Sequence, residues 1–303
     1  MNNRRPHYNY DKQLQQSNRT QTKKKSKKSP ISCCGCIPFF FIVFVSISCL
    51  SIYFIFPTRT NILLLGLDYD NQGGSLSRTD TIILSTIVPQ ELYVGMLSIP
   101  RDLWVNIPGI GENRINTAHF FAELNQKNSG PQAVEETIEA NFGVSSDYYI
   151  RINFDGFREI VNALGGIDIK LDKPMSGYPP GQYHLTGNKA LAFVRNRQNS
   201  DDFFRMENGQ FILKQLLFNM LFPQNWLKLP SVIFAALNSL DTDIPVWNWP
   251  RFIVVLLLSG SDGVDNRTIN REMVTPYVTE QGAYVLLPDW DKISVIFSEM
   301  FGE

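Results

Sequence analysis

No cysteine lies beyond Cys49 in this 303-residue chain; the four that exist, Cys33, Cys34, Cys36 and Cys49, all sit in or beside one apolar stretch. The roughly 240 residues that follow can form no disulfide and depend on a buried core alone, for which that length suffices. Charge is missing in one place too: between Lys28 and Arg59 lie 30 residues without a charged side chain. Basic residues are scarce in the body. Residues 1–30 hold nine of the 28 Lys and Arg against a single acid, Asp11, which leaves the rest with 19 basic and 28 acidic residues. An acidic body without a recognisable DNA-binding motif argues against nucleic acid as its partner. No internal repeat is present.

The uncharged stretch runs through Ile37-Pro38-Phe39-Phe40-Phe41-Ile42-Val43 to Ile55-Phe56. A helix needs roughly 20 apolar residues to cross the hydrocarbon core, and this run supplies them. Positive flanks stay on the cytoplasmic side, so the N-terminus is expected inside and the chain from residue 58 onward outside. A cleaved signal peptide would have an apolar region of about 7–15 residues ending at a small-residue cleavage site. Neither feature fits. The expected organisation is a basic, disordered cytoplasmic tail over 1–30 that meets anionic membrane lipid, a transmembrane signal anchor over 31–57, and an extracytoplasmic domain over 58–303. The Cys33-Cys34-Gly35-Cys36 cluster has no second ligand group nearby and reads as membrane-edge filler.

Within the body, Asn61–Leu67 is a short apolar run and reads as a buried strand. Thr81–Val88 and Glu91–Ile99 read as two more, with Pro89 at the turn between them. Asn116–Gln126 and Gln132–Phe142 read as helices, and Tyr148–Asn153 as a strand. Asp155 is expected to cap a helix whose Phe157, Ile160, Val161 and Leu164 share one face, stopped by Gly165-Gly166. Ile167–Leu171 is strand-like. Thr186 should cap a short helix to Phe193. Helices follow over Phe204–Leu221, Trp226–Leu240 and Trp247–Leu258, then a strand at Ala283–Leu287 and a last helix at Asp289–Phe301. Alternating strands and helices predict a single α/β/α sandwich domain.

Arginines fall at the ends of these elements: Arg78 before a strand, Arg101 after one, Arg195 and Arg197 at a helix end, Arg205 after a polar loop. Loops and element ends are where sites are built. The planar guanidinium fork suits phosphate oxygens, and several together suit a pyrophosphate. Asp68 ends the first strand and Asp80 opens the second, so both carboxylates can point into one cleft and, with phosphate oxygens, hold Mg²⁺. The same spacing also suits surface salt bridges and turn caps, and spacing alone leaves both readings open.

Taken in order, these pieces resemble the LytR-CpsA-Psr family of envelope assembly enzymes. The matching segments are NILLLGLD (61–68), SRTDTIIL (77–84), LSIPRDLWVNIPG (97–109), RIN (114–116), YYIRINFDGFREIVNALGGIDI (148–169), HLTGNKALAFVRNR (184–197), DDFFR (201–205), TDIP (242–245) and VLLPD (285–289). The resemblance implies a transferase that moves a phospho-glycan from a polyprenyl-pyrophosphate carrier to a cell-wall polymer acceptor. It implies Mg²⁺ on Asp68 and Asp80, and pyrophosphate contacts from Arg78, Arg101, Arg195, Arg197 and Arg205, with Arg114 standing where the family often has Lys. Asp68, Asp80 and Arg101 become the expected catalytic residues. Asp68 and Asp102 are both conceivable proton acceptors, and Asp102 can equally serve to orient Arg101. An apolar tunnel for the lipid is implied too, with Phe120, Phe121, Phe154, Phe157, Ile212, Leu216 and Leu217 as candidate lining, although ordinary core packing has the same composition. The chain departs from the pattern after Arg205. Asn208 and Gly209 stand where the family commonly carries Arg and Gln, and Gln210 is the nearest remaining candidate ligand. A pyrophosphatase acting on the same carrier, or a non-catalytic lipid-glycan binder with a regulatory role, uses the same residues.

Overall fold

The computed structural model describes residues 36–68, 78–196, 202–260 and 263–302. The basic tail, the polar loop over 69–77 and Arg197 lie outside the described residues. The chain divides into two compact units, residues 1–51 and 52–303. In the first, α1 (Cys36–Ile55) is a 20-residue helix without a charged residue, and it runs on into the second unit. Its side chains are described from Phe39 onward, and among the described residues no helix is long and apolar enough to cross a membrane.

The body opens with β1 (Thr60–Leu67), β2 (Thr79–Val88) and β3 (Tyr93–Ile99), then a small hairpin of β4 (Trp104–Ile107) and β5 (Gly111–Arg114). Helices α2 (Asn116–Asn125) and α3 (Gly130–Phe142) lead to β6 (Tyr148–Asn153) and α4 (Phe154–Ala163). A second hairpin, β7 (Ile167–Leu171) and β8 (Gly181–Leu185), precedes α5 (Gly187–Arg195), α6 (Asp202–Leu221) and α7 (Leu229–Ser239). Then come β9 (Leu240–Thr242), α8 (Trp249–Ser259), β10 (Val264–Thr268), β11 (Val274–Val278), β12 (Tyr284–Pro288) and α9 (Trp290–Phe301).

Six strands form one mixed sheet in the order β10-β3-β2-β1-β6-β9. Strand β1 is antiparallel to β2 and parallel to β6, and β3 is parallel to β10. The continuous apolar run of β1 follows from its position: both faces are covered. Leu63 and Leu65 pack with α2, α3 and α9 through Ala118, Val134, Ile138 and Phe297. Ile62 and Leu64, on the opposite face, pack with α8 through Phe252 and Val255 and with α6 through Leu213 and Phe218. Period-two alternation of an all-apolar strand thus feeds two cores at once. A third cluster joins α4, α5, α6 and α7 to the β7–β8 hairpin, with Phe193 and Ile212 at its centre.

Several expected boundaries move, each for a local reason. The third strand starts at Tyr93, because Pro89–Glu91 forms a 3-10 turn closed by Leu92 in the left-handed region. The cap of α4 is Asn153, whose Oδ1 accepts from the Gly156 amide at 2.8 Å; Asp155 lies inside the first turn. Thr186 does precede α5, but its side chain caps nothing; Asn162 of α4 accepts the Gly187 amide instead, at 2.9 Å. Both Trp-led helices begin late, since Pro223–Lys228 and Val246–Asn248 are 3-10 turns ahead of α7 and α8.

Candidate active site

Strand register assembles the polar cluster. Strands β2 and β3 pair Ile82 with Ile99, so continuing two residues sets Asp80 opposite Arg101. The Arg101 Nη1 donates to Asp80 Oδ1 at 2.8 Å, with both side chains mostly shielded. The segment after β3 is fixed by its own backbone: Leu103 N bonds Pro100 O at 3.1 Å, Asn116 N bonds Arg101 O at 3.2 Å, and Leu286 N bonds Asp102 O at 3.0 Å. Two other elements, α2 and β12, together with the turn's own hydrogen bond, therefore hold Arg101 and Asp102 in place. Asp102 lies between two arginines, 3.4 Å from Arg101 Nε and 3.4 Å from Arg114 Nη1. It is an orienting carboxylate for both guanidinium groups.

The parallel pairing of β1 with β6 ends at Leu67 opposite Asn153, which brings Phe154 beside the residue that follows β1, Asp68. Arg195, the last residue of α5, stacks over the Phe154 ring at 4.5 Å and reaches to 3.8 Å from Asp68 Oδ1. Arg78 stands over the Phe120 ring of α2 at 5.8 Å. Cation–π contact is roughly a 0.5–2 kcal/mol interaction, and a flat ring under a guanidinium leaves its edge N–H groups aimed outward. The irregular register between Gly66 and Leu67 brings the backbone of β1 against β2; a Cβ at Gly66 would lie 2.9 Å from the Thr81 Cβ. That close approach requires glycine one step before the Leu67–Asp68 terminus.

Of the expected residues, Asp80, Arg101, Asp102 and Arg114 form one connected chain of ion pairs, and Asp68 with Arg195 forms a second. Arg205 lies partly buried in the first turn of α6. Gln210 is brought elsewhere. It is buried, its Nε2 donates to Met96 O at 3.2 Å and Arg267 O at 2.7 Å, and Thr268 Oγ1 donates to its Oε1 at 3.3 Å. Both ends of its amide tie α6 to β3 and β10. Of the apolar candidates, Ile212 and Leu216 are core residues with Phe157 packed against them, whereas Phe120 and Phe154 serve as platforms for arginines. Arg271, which the arginine pattern did not single out, sits over the rings of Phe203 and Phe204, the two residues before Arg205, at 5.7 and 5.4 Å. Its place was not legible, because the strand before it, β10, has no apolar pattern.

Behind α2 lies a second ionic cluster. Arg151 of β6 donates to Glu123 Oε1 through Nη1 and to Asp241 through Nε at 2.8 Å, and its Nη1 is 3.2 Å from His119 Nε2. Burial alone would raise the Glu123 carboxyl, but the Asn128 amide, Arg151 and the Gly130 amide outweigh it and hold the group below the usual glutamate range. A charge in mid-strand at Arg151 is the one local signal near this cluster, and it does not reveal the distant partners.

Among the described residues no group of three or more His, Cys, Asp or Glu could hold a metal ion. Two carboxylates at the cluster, Asp68 and Asp80, are the right oxygen donors for Mg²⁺ but too few to hold it alone. The donor set fits a cation completed by phosphate oxygens.

The fold has counterparts among known proteins. The LytR_cpsA_psr family profile matches residues 10–301, and the chain belongs to that family. A protein of Oceanobacillus iheyensis named polyisoprenyl-teichoic acid–peptidoglycan teichoic acid transferase TagU is 30% identical over 248 residues, spanning 80% of this chain and 75% of the relative. Regulatory protein MsrR of Staphylococcus aureus is 30% identical over 195 residues, 62% of this chain and 57% of its own length. The crystal structure of TagV from Bacillus subtilis superposes with a TM-score of 0.66 at 26% identity, covering 81% of this chain and 98% of that one.

Proposed function

We propose that the chain is a membrane-anchored transferase that moves a phospho-glycan from a polyprenyl-pyrophosphate carrier to a cell-wall polymer outside the cell. The observation that carries this reading is the joining of Asp80, Arg101, Asp102 and Arg114 in one ion-pair chain at the sheet end where Asp68 and Arg195 also meet. Membership of a family with a teichoic acid transferase among its relatives supports it. The uncharged helix α1 and the basic tail before it support the anchor, residues 31–57, with the body outside.

Phosphoryl transfer needs in-line positioning and charge neutralisation more than a protein nucleophile. In this reading the acceptor hydroxyl attacks the glycan-side phosphorus, the bond to the bridging oxygen breaks, and polyprenyl phosphate leaves. Arg101 and Arg195 bind the pyrophosphate oxygens, Arg78 and Arg205 add contacts, and Asp102 keeps Arg101 and Arg114 oriented. Mg²⁺, held by Asp68, Asp80 and substrate oxygens, would supply further neutralisation of the developing charge. Asp102 faces Arg101 and Arg114, which suits it to orienting them and not to receiving the hydroxyl proton.

The test is transfer of a polyprenyl-pyrophosphate saccharide to a purified wall fragment, with Mg²⁺ present. Unchanged transfer in both Arg101→Ala and Asp80→Ala would refute the site. Release of free sugar phosphate without coupling would convert the reading to hydrolysis. Tight carrier binding with no turnover would convert it to a regulatory binder, the role named for the MsrR relative.

A further inference from the structure

Helices α7 and α8, with the 3-10 turns that lead into them, carry bare hydrocarbon outward. Leu227 is 94% exposed, Phe234 70% and Trp247 70%, and Trp226, Leu237 and Leu258 are exposed as well. Residues 222–260 contain only four charged side chains: Lys228, Asp241, Asp243 and Arg251. Asp241 is engaged by Arg151, and Asp243 accepts the Tyr149 amide at 2.8 Å. Arg251 is buried. Lys228, Asp241 and Asp243 are exposed, the two acids at the β9 end of the segment. Exposed Trp, Phe and Leu with so little charge among them mark a contact with another apolar body.

The chain itself indicates which body. Residues 52–60 belong to the same compact unit as α8. Tyr53, in the last turn of α1, donates its hydroxyl to the Trp247 carbonyl. Arg251 donates to Phe56 O at 2.6 Å and to Thr60 Oγ1 at 3.3 Å. The C-terminal end of α1 is thus hydrogen-bonded to the start of α8. If α1 is the anchor proposed above, Tyr53 marks the outer membrane–water interface, and Trp247 lies one hydrogen bond from it. Tryptophan and tyrosine concentrate at that level.

We propose that the outward faces of α7 and α8 rest on the outer surface of the lipid bilayer, with Trp226 and Trp247 at headgroup depth. This rests on the reading of residues 31–57 as an anchor. Docking would hold the body against the membrane in one orientation, where a tether alone would leave it free to turn.

All five tryptophans follow residue 103, so none is in α1 and their fluorescence reports the body. The full-length chain is reconstituted in phosphatidylcholine–phosphatidylglycerol vesicles with and without brominated acyl chains. Docking predicts that bromine removes about a third or more of the tryptophan emission, as expected for interfacial indoles, and that most of this loss disappears in the W226F/W247F double variant. Both positions are exposed, and phenylalanine keeps them apolar. Alkaline carbonate extraction reports the anchor separately. A chain that resists extraction but shows no quenching overturns the docking and leaves the anchor standing. A chain that is quenched but stripped by carbonate supports docking and removes the anchor. Quenching unchanged by the double variant, or unquenched tryptophans in a chain that cross-links as a dimer, overturns the proposal; the second result assigns the face to another copy of the chain.

Discussion

Arg101 is held by three backbone hydrogen bonds around it and by two carboxylates, so its guanidinium is positioned before any substrate arrives. Charge-assisted contacts of this kind contribute roughly 1.5–3 kcal/mol each. Arg101→Ala should therefore lower the transfer rate by about tenfold to a few hundredfold, measured as turnover of a polyprenyl-pyrophosphate saccharide. Arg101→Lys should recover only part of it, since an ammonium cannot bridge Asp80 and a phosphate with the same fork. Gln210 makes the opposite prediction. Its amide bonds the backbone of β3 and β10, so Gln210→Ala should cost about 1–3 kcal/mol of stability by leaving buried carbonyls unpaired. The activity of the folded fraction should stay unchanged; thermal denaturation and a rate assay on the same sample separate the two. The sequence marked Arg101, Asp80 and Asp102 because they flank apolar runs. It could not reveal that Gln210 points to a carbonyl pair, because that depends on which face of α6 meets the sheet.

At the scale of elements, α6 carries Gly209 in its interior, and a Cβ there would meet only Val194 Cγ1 at 3.8 Å. No packing demands glycine. Gly209→Ala should raise stability by about 0.5–1 kcal/mol, the usual gain in a helix interior, read as a higher melting temperature. Gly130 is the contrasting case. A Cβ at that position would lie 2.4 Å from His119 Cδ2, inside the Arg151–Glu123 cluster. Gly130→Ala should cost about 1–3 kcal/mol through overpacking. Long apolar patterns were the most legible elements: β1, β3 and α9 stand close to where their periodicity puts them. Strands β4, β5, β8, β9, β10 and β11 were not legible. Strand β10, Val264–Thr268, is Val-Asp-Asn-Arg-Thr, and its strand character comes from pairing with β3. Pro276 argues against β11 by local rules, yet β11 belongs to a sheet of two strands where a missing amide is tolerated.

For the whole molecule, the Glu123–Arg151–Asp241 cluster joins α2 to β6 and to β9 at the edge of the sheet. Glu123 titrates below its ordinary range. Its contribution to stability is thus complete above the unfolded pKa, about 4.3, and is lost as pH falls through the lower folded value. Melting temperature should hold between about pH 5 and 7 and fall more steeply below about pH 4. Glu123→Gln should lower the plateau and flatten that acid limb, which a circular-dichroism melt at each pH would reveal. The sandwich itself was legible from alternation of strands and helices. The latch was not, because its members are 28 and 90 residues apart in sequence.

The sharing of Asp102 between Arg101 and Arg114, with Asp80 on Arg101 and Asp68 near Arg195, has a bearing on turnover. Carboxylates of the protein engage these arginines, so on the proposed reading phosphate entry would exchange one anion for another. On the proposed reading, Asp68 and Asp80 would hold Mg²⁺ together with diphosphate oxygens, and the ion's charge would offset their pull on the arginines. A monophosphate would support this poorly, and the carboxylates would compete it away. On the same reading the ion pairs would favour product release, since the spent carrier has one phosphate fewer with which to displace the carboxylates.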